Sequence, residues 1–195
     1  LLCYLVAAMR YPGGSWTDPG QVGFSWRHNY LCDLLDTRAV NGALNTGRYW
    51  ARTALGLLCA GLFLLWHQLP KLTRGRAWQQ QLLRYSGLAA LGTTVFLSSG
   101  THDLTVRIAG AFGLIGMVFL VAGLWRAGRR ALSIFGIWSL GIFVVNYAIY
   151  ETGSYLGLLP LIQKITFVSF LAWFAWMDMA LLRLESGAGG IMAGT

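Results

Sequence analysis

The sequence predicts an all-α bundle of membrane-spanning helices, and three observations predict it. Of 195 residues, 56% are hydrophobic and 11% charged, where a soluble domain carries roughly 25% charged residues. The apolar residues gather in segments close to the ~20 residues that a helix needs to cross the hydrocarbon core. The 15 Lys and Arg fall mostly between those segments, as membrane-flanking charges do. The formal charge of +8 therefore does not point to nucleic acid, since no basic run is interleaved with aromatics. The chain is expected to be an integral membrane protein, consistent with a bacterial inner membrane.

Six spans are expected, forming a single domain over residues 1–185. The first apolar run, LLCYLVAAM at 1–9, is too short to span and reads as the end of a helix whose start lies upstream. The second span covers Tyr49 to Leu69, bounded by Pro70, where a helix cannot comfortably continue. Arg52 in its first turns is expected to snorkel or to pair with a loop acid. The third runs from Leu82 to Ser99 after the basic turn that holds Lys71, Arg74, Arg76 and Arg84. The fourth covers Leu104 to Trp125, with Ala109, Gly110, Gly113 and Gly116 small enough to let another helix approach closely. After the RAGRR turn (126–130) the fifth span reaches Tyr150, and the sixth starts near Pro160, a good first-turn residue, and ends near Leu182. The last ten residues, 186–195, show no periodicity and read as a flexible tail.

Basic turns at 70–84 and 126–130, with Arg183, belong on the cytoplasmic side by the positive-inside rule, whereas the turns at 99–103 and 151–159 carry no Lys or Arg. Both chain ends would then be cytoplasmic. Arg10, Arg27, Arg38 and Arg48 in the long connection at 10–48 run against this assignment.

That connection holds three of the seven acidic residues, Asp18, Asp33 and Asp36. A loop of this length is either functional or disordered, and its Trp16, Trp26 and Tyr30 argue for order. Leu31, Leu34 and Leu35 at helical spacing predict a short amphipathic helix from Asn29 to Thr37. Its acids would seek Arg52, Arg107 or Lys164 as cations, and docking would bring Asn29 and Asp33 near His102 and Arg107.

The topology gathers candidate binding residues at one non-cytoplasmic mouth: Asn29 and Asp33 of the loop, His102, Asp103 and Arg107 at the start of the fourth span, Glu151 at the end of the fifth, and Gln163 and Lys164 in the sixth. Asp103 and Arg107, four apart, suit an ion pair at a helix start, and Glu151 with Lys164 suits another across the short connection. His28, Asp33, His102 and Asp103 are the only set with metal-ligand or acid-base chemistry, but no HxxxH or HExxH pair frames them, and no metal site is assigned. Ser15, Ser25, Ser98 and Ser99 lack a GxSxG frame, and Gly13-Gly14 lacks the Lys of a phosphate loop. Cys3, Cys32 and Cys59 make no disulfide framework. No catalytic residue or cofactor emerges.

The six-span order, YPGG followed by NYLCDL and an Asn-containing stretch, a histidine opening the fourth span and LLPLIQKITFVSFLAW opening the sixth resemble the bacterial membrane family called domain of unknown function 998. They distantly resemble the damage-regulated autophagy modulator group. The resemblance implies a compact helical membrane protein with Asn29, Asp33, His102 and Gln163-Lys164 as the matching polar positions, and it brings no reaction with it. Cys32 stands where that resemblance leads one to expect a small residue such as serine. Two functions stay open: binding of a lipid, another amphiphile or a partner helix at the polar mouth, and metal-assisted hydrolysis of a lipid headgroup in the membrane. Membrane lipids, a partner membrane protein and further copies of the chain are the partners to expect.

Overall fold

The computed structural model describes the backbone over residues 1–94 and 102–192, and side chains over 1–94 and 104–186. Among the described residues six α-helices form: α1 (Leu2–Met9), α2 (Arg48–Gln68), α3 (Ala77–Thr94), α4 (His102–Arg126), α5 (Arg130–Thr152) and α6 (Leu159–Met192). Among the described residues the only β-type pairings are two isolated bridges, Gly13 with Val22 and Arg38 with Leu44. Among the described residues four helical stretches are long and apolar enough to cross a membrane: Arg48–Leu72, Leu104–Arg126, Arg130–Thr152 and Leu156–Ser186.

Helices α2, α4 and α5 begin and end within two residues of the expected spans, because their bounds are set by changes from apolar to charged or turn-forming sequence. Two elements differ. The sequence reading starts α3 at Leu82, but the helix begins at Ala77, where Gln79 Oε1 accepts the Arg76 N–H at 3.0 Å. A glutamine reaching back from the third helical position satisfies a donor that helix geometry leaves orphaned. At the other end of the chain, α6 continues to Met192, through the segment read as a flexible tail.

Contacts group the chain into two compact units where the sequence suggested one domain. One comprises Leu1–Cys59 and Gly141–Val168 among the described residues; the other comprises 60–94, 102–140 and 169–192.

The second unit holds a core of Trp66, Leu69, Leu72, Leu83, Leu120, Leu124, Leu132, Trp173, Phe174, Met177 and Leu181. One packing device occurs in it twice. Trp66 Nε1 donates to Leu83 O at 2.8 Å, and Gly87, one turn further along α3, lies directly under the indole. Trp173 Nε1 donates to Leu132 O at 2.8 Å, and Gly136, one turn further along α5, lies under that indole. A Cβ on either glycine would overlap the ring. An indole in an apolar interior must place its N–H on a partner, and a helical carbonyl is reachable only where the next turn has no side chain. Gly116 of α4 completes the first of these slots, where an added Cβ would lie 3.0 Å from Trp66 Cζ2.

The first unit includes the connection at 10–47. Gly14 N–H donates to Gln21 O at 2.7 Å and Asn41 N–H to Gly13 O at 3.4 Å, so the YPGG stretch is held between two extended segments. Gly13 (φ 138°) and Gly14 (φ 84°) have backbone conformations that favour glycine. A Cβ would also strike Gln21 O from Gly13 and Asn41 N from Gly14.

Candidate functional site

Asn29 is the centre of the first unit's polar network. It is fully buried, and its side-chain oxygen accepts from Gln21 Nε2 and the Ser25 N–H, both at 2.9 Å. Its amide nitrogen donates to Gly14 O at 2.7 Å and to Asp33 Oδ2 at 3.0 Å. One side chain thus joins the glycine turn, the 21–25 segment and the acidic turn. Buried polar groups persist only when satisfied in this way.

Asp33 sits in a single 3-10 turn, Cys32–Leu35, in place of the expected helix from Asn29 to Thr37. Asn45 explains why the helix stops: its amide nitrogen donates to Leu34 O at 3.1 Å, Asp36 O at 3.0 Å and Asp33 O at 3.4 Å. Carbonyls engaged by a side chain replace a continued helical ladder. Leu34 and Leu35 point inward as expected, but Asp33 is buried with them, and only Asp36 is exposed. Asp33 Oδ2 accepts the Tyr30 N–H at 2.9 Å as well as the Asn29 amide. Burial pushes its carboxyl above the usual 3.8, with these hydrogen bonds and Lys164 opposing the shift. The thiol of Cys32 beside it is pushed up to about 12, again chiefly by burial.

Two of the expected cations bond backbone oxygens. Arg52 Nε donates to Leu35 O at 3.0 Å. Lys164, which the sequence paired with Glu151, donates to Asn29 O at 2.6 Å and Pro160 O at 2.9 Å, with its ammonium 5.8 Å from the Phe24 ring centroid. Gln163 Oε1 accepts the Leu31 N–H at 2.8 Å. Two adjacent residues of α6 therefore hold the loop backbone at 29–31. Asn29, Asp33, Gln163 and Lys164 come together within the first unit; Glu151 is exposed at the end of α5, and Arg107 is exposed on α4. His102 and Asp103 open α4, and their side chains lie outside the described residues.

Beside this network lies a pocket of about 390 Å³, lined by Trp16, Thr17, His28, Tyr30, Leu156, Gly157 and Pro160. The loop contributes two aromatic rings and three polar tips, and the approach to α6 contributes an apolar wall. His28 Nδ1 is 3.4 Å from Ser25 Oγ, and Thr17 Oγ1 is 3.2 Å from Ser15 Oγ. Trp16 remains exposed. Among the described residues, no group of three His, Cys, Asp or Glu side chains is placed to hold a metal ion.

Sequence reasoning passed over Gln21 and weighed the buried Ser15 only as a nucleophile without a GxSxG frame. The tandem glycines after Pro12 were the available signal, because they mark a backbone that something polar must satisfy. No protein-family model matches the chain, and searches of curated proteins and of solved structures find no match either.

Proposed function

We propose that this is a six-span membrane protein, with both ends cytoplasmic, that binds a lipid or other amphiphile at the polar mouth of its first unit. The observation that carries the reading is the 390 Å³ pocket. Its volume falls in the usual range for small-molecule sites, roughly 300–1,000 Å³, and it pairs an apolar wall with a few polar groups. Trp16 and Tyr30 are amphipathic rings of the kind that sit at headgroup level. In this reading Asn29, Asp33, Gln163 and Lys164 hold the wall rather than touch the ligand. The four candidate spans support a multi-pass topology, and α1 and α3 would supply the remaining two. The resemblance to domain of unknown function 998 agrees with this architecture and names no ligand.

The test uses the purified full chain in lipid nanodiscs with a photoreactive phospholipid, followed by peptide mapping. Cross-links are expected on the segments at 16–30 and 156–160, with labelling reduced severalfold in Trp16→Ala/Tyr30→Ala. Labelling spread evenly over the lipid-facing helices and unchanged in that variant would overturn the reading. Release of a soluble headgroup that requires stoichiometric zinc, and is lost in both His28→Ala and His102→Ala, would replace binding with hydrolysis.

A further inference from the structure

A second pocket, of about 460 Å³ and wholly within the second unit, is lined by Gly128, Arg129, Arg130, Ala131 and Leu132 of the turn into α5 and by Trp176, Ala180, Arg183 and Leu184 of α6. Three of its lining residues are arginines, and none is acidic. The two acids of α6 are otherwise engaged or aimed. Glu185 pairs with Lys71 at 3.3 Å, and Asp178, two residues from both Trp176 and Ala180, lies about 200° round the helix from them. Arg130 lies over the Trp125 ring, its guanidinium carbon 5.8 Å from the centroid.

The walls are fixed rather than incidental. Trp173 Nε1 bonds to Leu132 O, and Gly136 admits the indole, so the start of α5 and the lining turns of α6 are held against each other. Ser133 Oγ donates to Val121 O at 2.9 Å, tying the same turn to α4. Three arginines bordering one concave space bring positive charges near one another, which an anion between them would relieve. Arginine is the side chain best suited to grip phosphate oxygens in pairs. The remaining wall, Leu132, Trp176, Ala180 and Leu184, is apolar and offers a bed for the upper part of an acyl chain.

We propose that this pocket is a binding site for one anionic phospholipid, its phosphodiester held by Arg129, Arg130 and Arg183 and its glycerol and upper chains lying along Trp176 and Leu184. Basic pockets between membrane helices on the cytoplasmic side take such headgroups, and the RAGRR turn is the segment assigned there by its charge. This is a selective lipid site, distinct in residues and in charge from the pocket beside Asn29.

The experiment reconstitutes the full chain in phosphatidylcholine vesicles containing a trace of spin-labelled phosphatidylglycerol and measures the motionally restricted fraction. Near a membrane each basic residue is worth about fivefold in anion affinity, so Arg130→Gln/Arg183→Gln should lower the association constant by about 25-fold. Arg74→Gln/Arg76→Gln, which removes equal charge from the other basic turn, should change it less than threefold. Arg130→Lys/Arg183→Lys preserves charge but not the planar fork, and its expected value falls between, which also guards against a misfolded double Gln variant. Equal losses in the two Gln variants would show diffuse surface charge and overturn the site. So would equal retention of spin-labelled phosphatidylcholine. Displacement of the label by millimolar inorganic phosphate or glycerophosphate would assign the pocket to a free phosphate and overturn the lipid.

Discussion

Replacing Asn29 with alanine should open the loop while leaving the helices in place. The side chain makes four hydrogen bonds: three with neutral partners, Gln21, Ser25 N–H and Gly14 O, and one with the Asp33 carboxylate. Neutral bonds contribute about 1 kcal/mol each and a charged one about 1.5–3 kcal/mol, and their buried partners would be left unpaired. Water entering the vacated space would recover part of this, so a net loss of about 3 kcal/mol is expected, roughly a hundredfold in the open population. Cys32 supplies the assay. Its thiol is buried and pushed up to about 12, so alkylation at pH 8 proceeds through the opened loop, where the thiol returns to its ordinary range. Iodoacetamide labelling of Cys32, followed by peptide mass spectrometry, should be about a hundred times faster in Asn29→Ala. Asn41→Ala, whose side chain makes an exposed bond to the Ala43 N–H at 3.1 Å, is the control and should stay within threefold of the parent. A rate in Asn29→Ala within threefold of the parent would refute the central position given to this amide.

Three further outcomes follow from the same geometry. Lys164→Met removes the ammonium from Asn29 O and Pro160 O and should speed Cys32 labelling by at least tenfold, since hydrogen bonds from a charged donor contribute about 1.5–3 kcal/mol; an unchanged rate would deny Lys164 its anchoring role. Asp33 has its folded pKa raised above 3.8, so its contribution to loop stability is full below 3.8 and is lost as pH rises through the folded value; trypsin cleavage after Arg27 and Arg38, corrected for the enzyme's own pH profile, should accelerate with rising pH, and Asp33→Asn should flatten that dependence. Gly136→Ala should lower thermal stability in detergent more than Trp173→Phe, because the first drives a Cβ into the indole at a cost of at least 1–3 kcal/mol while the second removes a single bond worth about 1 kcal/mol; the opposite order would sink the account of the slot.

The helices α2, α4 and α5 could be placed from sequence because length and apolarity are one-dimensional properties, interrupted by Pro70, RAGRR and Gly153. The start of α3 was missed because Gln79 to Gln81 look like a polar loop until Gln79 is seen to cap Arg76. Within the loop, Leu31, Leu34 and Leu35 have the spacing of a helix, and the physical competitor was out of reach. Asn45 is eleven residues from Leu34 and meets its carbonyl only after the chain has turned at Gly42. The contacts of Lys164 were out of reach for a related reason: reading charge against charge suggests Glu151, but the ammonium bonds backbone oxygens that carry no signature in the sequence. Main-chain acceptors are as numerous as residues, so a half-buried cation at a loop boundary is readily matched to carbonyls.

The same reasoning separates the two pockets chemically. In the first unit the half-buried Lys164 ammonium donates to carbonyls at 2.6 and 2.9 Å, and the Asp33 carboxyl is met by an amide and a backbone N–H, so both ionisable groups already have partners within the protein. What remains open beside it is aromatic and apolar, which favours an amphiphile held by shape. In the second unit the apolar groups are the satisfied ones, packed round Trp173, and three arginines line the open space. Selectivity for headgroup charge is therefore expected only there. Lipid binding at the first pocket should be nearly indifferent to ionic strength, while binding at the second should weaken as salt screens it over about 10 Å at 0.1 M. Comparing photolabelling of the 16–30 segment with retention of spin-labelled phosphatidylglycerol from low salt to 0.5 M measures both in one preparation. Parallel salt curves would contradict the division of the protein into a shape-selective and a charge-selective site.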